Sequence, residues 1–262
     1  MDIDVWRPWY QRIAARLGLN AKLDQAAADL LSSLLSRKGL EADALKAKFR
    51  GRSLLVAGAG PSLEKNIQSL LDADLLRSWA VIAADGATSA LIENGVTPVA
   101  VVSDLDGNMD DILYAGKQGS ILVVHGHGDN LTNLQDYVPK MSPPLGGSTQ
   151  VEARRKVYNF GGFTDGDRCV FLCEEAAVDT VVLIGMDLGT KVGPYSKPLG
   201  VTGETLKRKR LKLSIAKELL AWLAQWTRCR VYNATGAGEP IPFIKNISIR
   251  ELENQARITV QP

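Results

Sequence analysis

Apolar side chains recur at steps of three and four residues through the first 50 residues of the chain. This spacing predicts two amphipathic helices, because positions three or four apart share one face of a helix. A break at Gly18–Asn20 separates them. We expect residues 1–50 to form a helical segment that packs against a catalytic domain at 51–262 or against a second subunit of a homo-oligomer. The apolar positions are Trp6, Tyr10, Ile13 and Leu17, then Leu23, Ala27, Leu30 and Leu34.

From Arg52 onward the pattern changes to short, continuous apolar runs, most of them followed by glycine and aspartate. Such runs predict strands buried on both faces, as in a parallel sheet, and helical stretches between them indicate βαβ units. The fold class is therefore α/β: a doubly wound, mostly parallel sheet in a Rossmann-like three-layer sandwich. The predicted strands are 53–60, 80–86, 99–107, 121–129, 180–189 and 229–235, and the predicted helices are 63–76, 88–94, 167–177 and 202–226.

Composition excludes several classes of protein. The 262 residues are 45% hydrophobic and 23% charged, as in an ordinary globular domain. A net charge of +2 does not suit a nucleic-acid coat, and no apolar stretch reaches the ~20 residues of a membrane span. Three cysteines without metal-binding spacing, and a start without the basic region of a signal peptide, favour a reducing compartment. We expect a cytoplasmic protein without nucleic-acid or membrane partners.

Carboxylates follow most of the predicted strands. In an open α/β sheet, ligands bind beyond the carboxyl ends of the strands, so residues at those ends face one site. A single aspartate there is usually a turn former or a helix cap. Several at equivalent ends predict a shared anionic site. The aspartates are Asp85, Asp104, Asp106, Asp129 and Asp187.

Asp104 and Asp106 are the most specific element of this site. If the strand pleat continues through them, they point to the same side about 7 Å apart. Two such carboxylates repel each other unless a cation lies between them. Mg²⁺ commonly takes one or two carboxylates and leaves its other positions to water and phosphate. The pattern predicts a magnesium site; the alternative is a turn with one capping aspartate.

Gly58, Gly60, Pro61 and Ser62 follow the first predicted strand and open a helix. Glycines let a phosphate approach the backbone, and a helix N-terminus offers unpaired N–H groups. The third glycine of the dinucleotide fingerprint and the lysine of a P-loop are both missing. The motif predicts either a phosphate-binding loop or a tight turn capped by Ser62.

His125 and His127 are the two histidines of the chain and stand close to Asp129. A zinc site is one interpretation, because alternate residues of a strand can converge on a metal. No cysteine or second histidine pair completes such a site. The motif therefore favours a loop that hydrogen-bonds a bound nucleotide or heterocycle.

Two later segments each allow a structural and a functional interpretation. Residues 161–168 precede a helix and either cap it, through Thr164 or Asp165, or border the site. A basic run near the start of the long helix predicts either a solvated face or a lid that closes on a polyphosphate. Turn-rich flanks at 193–203 favour movement of such a lid. The basic residues are Lys207, Arg208, Lys209, Arg210 and Lys212.

Six short motifs occur in a fixed order between about residues 52 and 233. They are G-A-G-P-S-L at 58–63, A-A-D-G-A-T at 83–88, V-S-D-L-D-G at 102–107, H-G-H-G-D-N at 125–130, G-G-F-T-D-G-D-R at 161–168 and G-M-D-L-G at 185–189. Together they resemble the archaeal 6-hydroxymethyl-7,8-dihydropterin pyrophosphokinase family, which is similar in its core to thiamine pyrophosphokinase. The resemblance implies transfer of pyrophosphate from ATP to a pterin acceptor, release of AMP and a requirement for Mg²⁺.

The resemblance also implies roles for individual residues. Asp104 and Asp106 match the aspartate pair that holds magnesium in thiamine pyrophosphokinases, and Asp85 matches the aspartate of their A-D-G motif. Asp129 takes the position of a third acidic ligand, and Asp165 lies in the loop that borders the acceptor. The expected metal ligands are Asp85, Asp104 and Asp106. We expect Asp129 or Asp165 to accept the acceptor's proton or to orient its hydroxyl. The expected ATP-binding residues are Gly58, Gly60, Pro61, Ser62, Asp85, Gly86, His127, Lys209 and Arg210.

Differences from the thiamine enzymes and a motif shared with glycosyltransferases bear on the alternative functions. Thiamine enzymes typically have an aspartate where Asn130 stands here, and their C-terminal β-sandwich has no evident counterpart, which disfavours thiamine as the acceptor. Motility-accessory glycosyltransferases share the G-x-G-P-S element, so transfer from a nucleotide sugar is an alternative. A non-catalytic nucleotide-binding module is a third, disfavoured because uncompensated carboxylates around a polyphosphate repel it.

Overall fold

The computed structural model describes residues 1–77, 79–196 and 203–259. Ten α-helices and nine strands alternate along these residues. The strands are β1 Ser53–Ala57, β2 Ala80–Ala84, β3 Ala100–Ser103, β4 Ile121–Gly126, β5 Leu145–Thr149, β6 Val157–Tyr158, β7 Thr180–Ile184, β8 Arg230–Asn233 and β9 Lys245–Asn246. The helices are α1 Ile3–Leu17, α2 Ala21–Leu35, α3 Ala42–Ala47, α4 Leu63–Asp72, α5 Ala87–Glu93, α6 Met109–Lys117, α7 Leu131–Tyr137, α8 Asp165–Glu175, α9 Gly203–Leu223 and α10 Ile249–Thr259.

All nine strands form one sheet in the order β6-β5-β4-β3-β2-β1-β7-β8-β9, with parallel pairing throughout. The order reverses direction at β1, which is the signature of a doubly wound fold. The predicted fold class is confirmed. Because every strand runs the same way, the loops after β1, β2, β3, β4, β5 and β7 all meet at one edge of the sheet.

The apolar runs identified six of these strands, with ends that extend past the observed bounds. The pattern missed β5, β6 and β9, and it also missed helices α6, α7 and α10. Strand β5 reads Leu-Gly-Gly-Ser-Thr, so it lacks the apolar run of its neighbours although all five residues are buried. Its glycines leave room for other elements: a Cβ at Gly147 would lie 2.8 Å from a Leu35 methyl group of α2.

The N-terminal helices pack directly on the sheet. Trp6 is fully buried, and its Nε1 donates a hydrogen bond of 2.8 Å to the carbonyl of Gln150. Asp24 accepts a 2.7 Å hydrogen bond from the backbone of Gly128, beside the end of β4. Helices α1 to α3 thus share one hydrophobic core with the sheet. The division of the chain at residue 50 and a homo-oligomer both stay predictions.

The long helix predicted at 202–226 is observed as α9, and Thr202 lies outside the described residues. So does part of the turn-rich flank at 193–203. In the described part of the chain, no helix combines the length and apolar character that crossing a membrane requires. The cytoplasmic location stays a prediction.

Trp6 should contribute more to stability than its exposed neighbour Val5. Trp6→Ala removes a fully buried indole and its hydrogen bond to Gln150, which should lower the free energy of unfolding by about 3–5 kcal/mol. Val5 is 50% exposed, so Val5→Ala should change it by less than about 0.5 kcal/mol. Urea denaturation of both variants measures the difference. Equal effects would show that α1 does not contribute to the core.

Candidate active site

A cleft of about 1170 Å³, including its open mouth, lies at the carboxyl edge of the sheet. Loops after six parallel strands line it, together with the starts of α8 and α9. Leu19, between α1 and α2, also lines it, so the N-terminal segment reaches the site. The cleft brings together most of the residues that the sequence singled out.

Asp85, Asp104 and Asp106 form a carboxylate cluster in this cleft. Each offers an oxygen atom within 4.8 Å of the other two. The strand pleat does not produce this arrangement: β3 ends at Ser103, and Leu105 adopts a left-handed φ of 66°. The prediction that the strand pleat places Asp104 and Asp106 on one side is therefore wrong. A turn after the strand, rather than the strand itself, brings the two carboxylates together.

Asp85 is held tightly at the end of β2. Ser103 Oγ donates a 2.5 Å hydrogen bond to Asp85 Oδ1. The backbone of Asp85 has a left-handed φ of 40°. Gly107 passes so close that a Cβ there would lie 2.3 Å from Asp85 Oδ2. Burial and the negative charge of Asp104 raise the pKa of Asp85 to about 7, although the Ser103 hydrogen bond lowers it.

His127 orients Asp104. Its Nε2 lies 3.3 Å from Asp104 Oδ2, and its Nδ1 accepts a hydrogen bond from the backbone N–H of Asp129. Because Nδ1 accepts that bond, Nε2 is the nitrogen that donates to Asp104. Burial raises the pKa of Asp104, but the His127 hydrogen bond and nearby positive charges outweigh it, so the pKa falls well below its usual range.

Asn130 ties two site loops together. Its amide nitrogen donates to the carbonyl of Asp104 and to that of His125, each at 2.7 Å, and its Oδ1 accepts from the backbone of His127. An aspartate at this position could not donate either bond. Thiamine enzymes typically have an aspartate at this position, and here the amide of Asn130 has a structural role that an aspartate could not fill.

Asp165 lies at the first turn of α8 and lines the cleft. Thr164 and Asp167 form the capping box of this helix, so Asp165 is not the cap. Burial and the charges of Asp104 and Asp85 raise the pKa of Asp165 well above its usual range. Asp129 also lines the cleft, but on its exposed rim.

Cations line one side of the cleft. Lys209 and Lys212 of α9 reach it, as does Arg208, which also donates to the carbonyl of Leu17 at 2.8 Å. Arg210 does not line it: its Nε donates to the carbonyl of Thr190 at 3.0 Å, because it lies on another face of α9. The expectation of a nucleotide contact through Arg210 is therefore not supported by its position.

Gly58, Gly60 and Pro61 line the cleft, but the N–H groups of Gly58, Gly60 and Ser62 donate to acceptors inside the protein. Gly60 N donates to the carbonyl of Gly185 at 2.8 Å. Ser62 donates to Asp187 Oδ2 through both its backbone N–H (3.2 Å) and its Oγ (2.8 Å), and it does not cap α4 with its side chain. A carboxylate of the protein thus occupies the N-terminus of α4, where a phosphate was expected.

The glycines of these loops serve close packing. A Cβ at Gly60 would lie 2.0 Å from Asp187 Oδ2, and one at Gly86 would lie 1.9 Å from the carbonyl of Tyr195.

Among the described residues, the one group of His, Cys, Asp or Glu with metal-ligand spacing is the carboxylate cluster. His125 and His127 are not in it, which disfavours the zinc interpretation.

Two residues of the cleft, Arg168 and Gln150, were not predicted from the sequence. Arg168 is buried one turn after Asp165 on α8. His125 and Lys212, which the sequence placed in the histidine motif and in the basic run, line the cleft as well. Arg168 belongs to the G-G-F-T-D-G-D-R motif, and its spacing of three from Asp165 on a helix was the available signal.

Comparison with known proteins gives consistent matches. A family model described as "6-hydroxymethylpterin diphosphokinase MptE-like" matches residues 31–193. The chain is 41% identical to 6-hydroxymethyl-7,8-dihydropterin pyrophosphokinase of Methanothermobacter thermautotrophicus, over 85% of this chain and 95% of that protein. The enzyme of the same name from Pyrococcus furiosus is also 41% identical, over 88% and 98%. The MAf glycosyltransferase of Magnetospirillum magneticum AMB-1 is 13% identical, with a TM-score of 0.48 over 89% of this chain and 41% of that chain, too low to support an argument.

Asn130→Asp should destabilise the protein because it removes two buried donors and adds a charge beside Asp104. We expect a loss of at least about 2–3 kcal/mol of unfolding free energy. Asn133→Asp is the matched control: Asn133 makes one such bond, to the carbonyl of Leu105, at a half-buried position. Thermal melts of both variants test this. A control that melts as low as Asn130→Asp would remove the special role of Asn130.

Proposed function

The chain belongs to the 6-hydroxymethylpterin diphosphokinase MptE-like family, and from that premise we propose that it is a 6-hydroxymethyl-7,8-dihydropterin pyrophosphokinase. The hydroxymethyl oxygen of the acceptor attacks the β-phosphorus of ATP. The bond from that phosphorus to the α,β-bridging oxygen breaks, and AMP leaves. The hydroxyl proton passes to a base.

One observation carries this proposal: three carboxylates and several cations face each other in a single cleft. Asp85, Asp104 and Asp106 form the cluster, while Lys209 and Lys212 line the same cleft from α9. A polyphosphate with its metal ion matches such a pairing of charges, because the metal meets the carboxylates and the phosphate oxygens meet the lysines. A neutral ligand would match neither set of charges.

The carboxylate cluster fits Mg²⁺. Its donors are hard oxygens, and the raised pKa of Asp85 reflects burial and repulsion by Asp104 that a cation would relieve. Asp85, Asp104 and Asp106 would hold the ion, which when bound supplies positive charge next to the phosphate oxygens. His127 keeps Asp104 in the orientation that this requires.

We assign proton acceptance to Asp165 in its ionised form, which a metal ion on the cluster would favour, because after burial the charges of Asp104 and Asp85 are what raise its pKa. It is the carboxylate on α8 that points into the cleft near the cluster, whereas Asp129 lies on the exposed rim. A base must reach the proton of the bound hydroxyl, which lies next to the phosphorus and therefore deep in the cleft. Asp129 then has the secondary role of orienting the acceptor at the mouth. Gly58, Gly60, Pro61 and Gly86 line the cleft beside these groups.

The deciding experiment is an acceptor screen with ATP and Mg²⁺, in which chromatography separates AMP from ADP. AMP should appear when ATP and 6-hydroxymethyl-7,8-dihydropterin are both present, and not with thiamine. ADP as the product would indicate simple phosphoryl transfer and refute the proposal. Release of nucleotide from a sugar donor would support the glycosyltransferase alternative, and saturable ATP binding without turnover would support the binding module.

Asp106→Asn should leave the fold intact and reduce turnover. The substitution keeps the shape of the side chain but removes one charge from the cluster. Stability should hold or rise slightly, because like-charge repulsion decreases. Turnover should fall by a factor on the order of a hundred or more, with a higher Mg²⁺ concentration for half-maximal rate.

Asp110→Asn is the matched control, because Asp110 is an exposed aspartate on the first turn of α6. It should retain the turnover of the unaltered protein. An Asp106→Asn protein that is unstable but fully active in its folded fraction would make Asp106 a turn former and refute its assignment to the metal.

A further inference from the structure

Three buried polar side chains line the cleft where the ends of β4 and β5 meet α8, and together they form a wall to which no catalytic role has been assigned. His125 and Arg168 are each 2% exposed, and Gln150 is 4% exposed. All three line the cleft, together with Phe163. Polar groups this deeply buried are normally hydrogen-bonded within the protein, so any that are not point to a ligand.

Arg168 is a buried cation whose hydrogen bonds are incomplete. Its two terminal nitrogens donate to the carbonyls of Gly162 (3.2 Å) and Phe163 (2.7 Å), and its Nε has no partner. Among the described residues, it makes no ion pair with a carboxylate at hydrogen-bonding distance. A buried guanidinium is costly unless an anion compensates it. Asp165, Asp167 and Asp104 offset part of this cost from a distance, but the unpartnered Nε of Arg168 still fits an anionic group that arrives with a ligand.

His125 presents a second unpartnered atom to the same wall. Its Nδ1 lies 3.0 Å from Ser148 Oγ on β5, while its buried Nε2 has no partner. The Gln150 side chain interacts with the ring without making a hydrogen bond of normal length. Burial and the charge of Arg168 lower the pKa of His125 well below its usual value, so the ring is neutral. With the Ser148 hydroxyl donating to Nδ1, the ring proton is on Nε2, which has no partner at hydrogen-bonding distance.

The two residues adjoin the carboxylate cluster. The rings of His125 and His127 stack with centroids 5.7 Å apart, and His127 contacts Asp104. A group that binds His125 and Arg168 therefore lies next to the groups assigned to the metal. Among the parts of the substrates, the phosphates of ATP are the ones that are both anionic and metal-bound.

We propose that Arg168 Nε and His125 Nε2 form a subsite for the terminal phosphate of the pyrophosphoryl unit that ATP donates. This inference rests on the proposed function and specifies its substrate contacts. The terminal phosphate of ATP has a bridging oxygen on one side only, so it fits a buried wall end-on, whereas the α-phosphate is substituted on both sides. The α-phosphate carries the nucleoside and stays outside. Arginine binds phosphate oxygens strongly because its N–H groups are charged and fixed in one plane.

Calorimetric titration of the full chain with inorganic pyrophosphate in Mg²⁺, and separately with AMP, tests the subsite. Arg168→Gln should weaken pyrophosphate binding by about tenfold or more and change AMP binding by less than about twofold. Arg154→Gln is the matched control: Arg154 pairs with Asp29 on the surface and lies outside the cleft. It should bind both ligands as the unaltered protein does.

A pair of variants at His125 keeps the test decisive if Arg168→Gln does not fold. An asparagine side chain reaches the position of Nδ1, so His125→Asn retains a contact to Ser148 and loses the group in the cleft. A glutamine reaches the position of Nε2. His125→Asn should weaken pyrophosphate binding several-fold, and His125→Gln should restore it to within about twofold. Equal affinities in the two variants, or equal losses for pyrophosphate and AMP, would overturn the subsite.

The subsite and the reaction can fail separately. If the unaltered protein forms AMP from ATP and the pterin while every variant binds pyrophosphate normally, the reaction stands and the subsite is wrong. If no AMP forms but pyrophosphate affinity depends on Arg168 and His125 as expected, the anion site stands and the proposed function is wrong.

Discussion

Repulsion among three carboxylates is the constraint to which the rest of this site responds. Asp85, Asp104 and Asp106 bring oxygens within 4.8 Å of one another, and two full charges at that distance repel by on the order of 3 kcal/mol at an effective dielectric constant of about 20. The protein counters the repulsion with hydrogen bonds to fixed donors: Ser103 to Asp85 and His127 to Asp104. The turn through Leu105 then keeps Asp106 in place. Such an arrangement stores unfavourable energy that a cation would release.

Hydrogen bonds and close packing also fix the loops next to the carboxylate cluster. Asn130 joins the loops after β3 and β4 through two short hydrogen bonds. On the other side of β1, the Asp187 carboxylate occupies the N-terminus of α4 and so fixes the loop after β7 against the loop after β1. Glycines stand where these loops cross, because a Cβ at Gly60 or Gly107 would overlap a carboxylate. The glycine-rich motif is therefore explained by loop crossing, and phosphate recognition falls to the cationic side of the cleft.

How far the sequence predicts this structure depends on the kind of signal. Apolar runs locate the central strands, because burial on both faces requires apolar residues at every position. They fail for β5, where glycines replace bulky residues to admit α2 and α3, a tertiary contact that local composition does not reveal. Aspartates after the strands locate the cluster, but the pleat gives the wrong geometry since a left-handed turn intervenes at Leu105. Arg168 was not predicted because its unpartnered Nε is a property of the folded protein, and for His125 the sequence predicted a place in the site but not its unpartnered Nε2.

Positive and negative charges are distributed unevenly across the cleft. The chain is nearly neutral, with a net charge of +2, yet its carboxylates gather at the ends of β2 and β3 while its cations come from α8 and α9. The positive charge of Lys212 helps to keep Asp104 ionised, so without ligand α9 is attracted to the cluster across the cleft. A metal-bound polyphosphate would replace this direct attraction, since its metal would meet the carboxylates and its phosphates the cations. Lys212 of α9 thus acts on a carboxylate that a metal-bound nucleotide would also meet, so binding of the nucleotide would change the charge balance between α9 and the sheet.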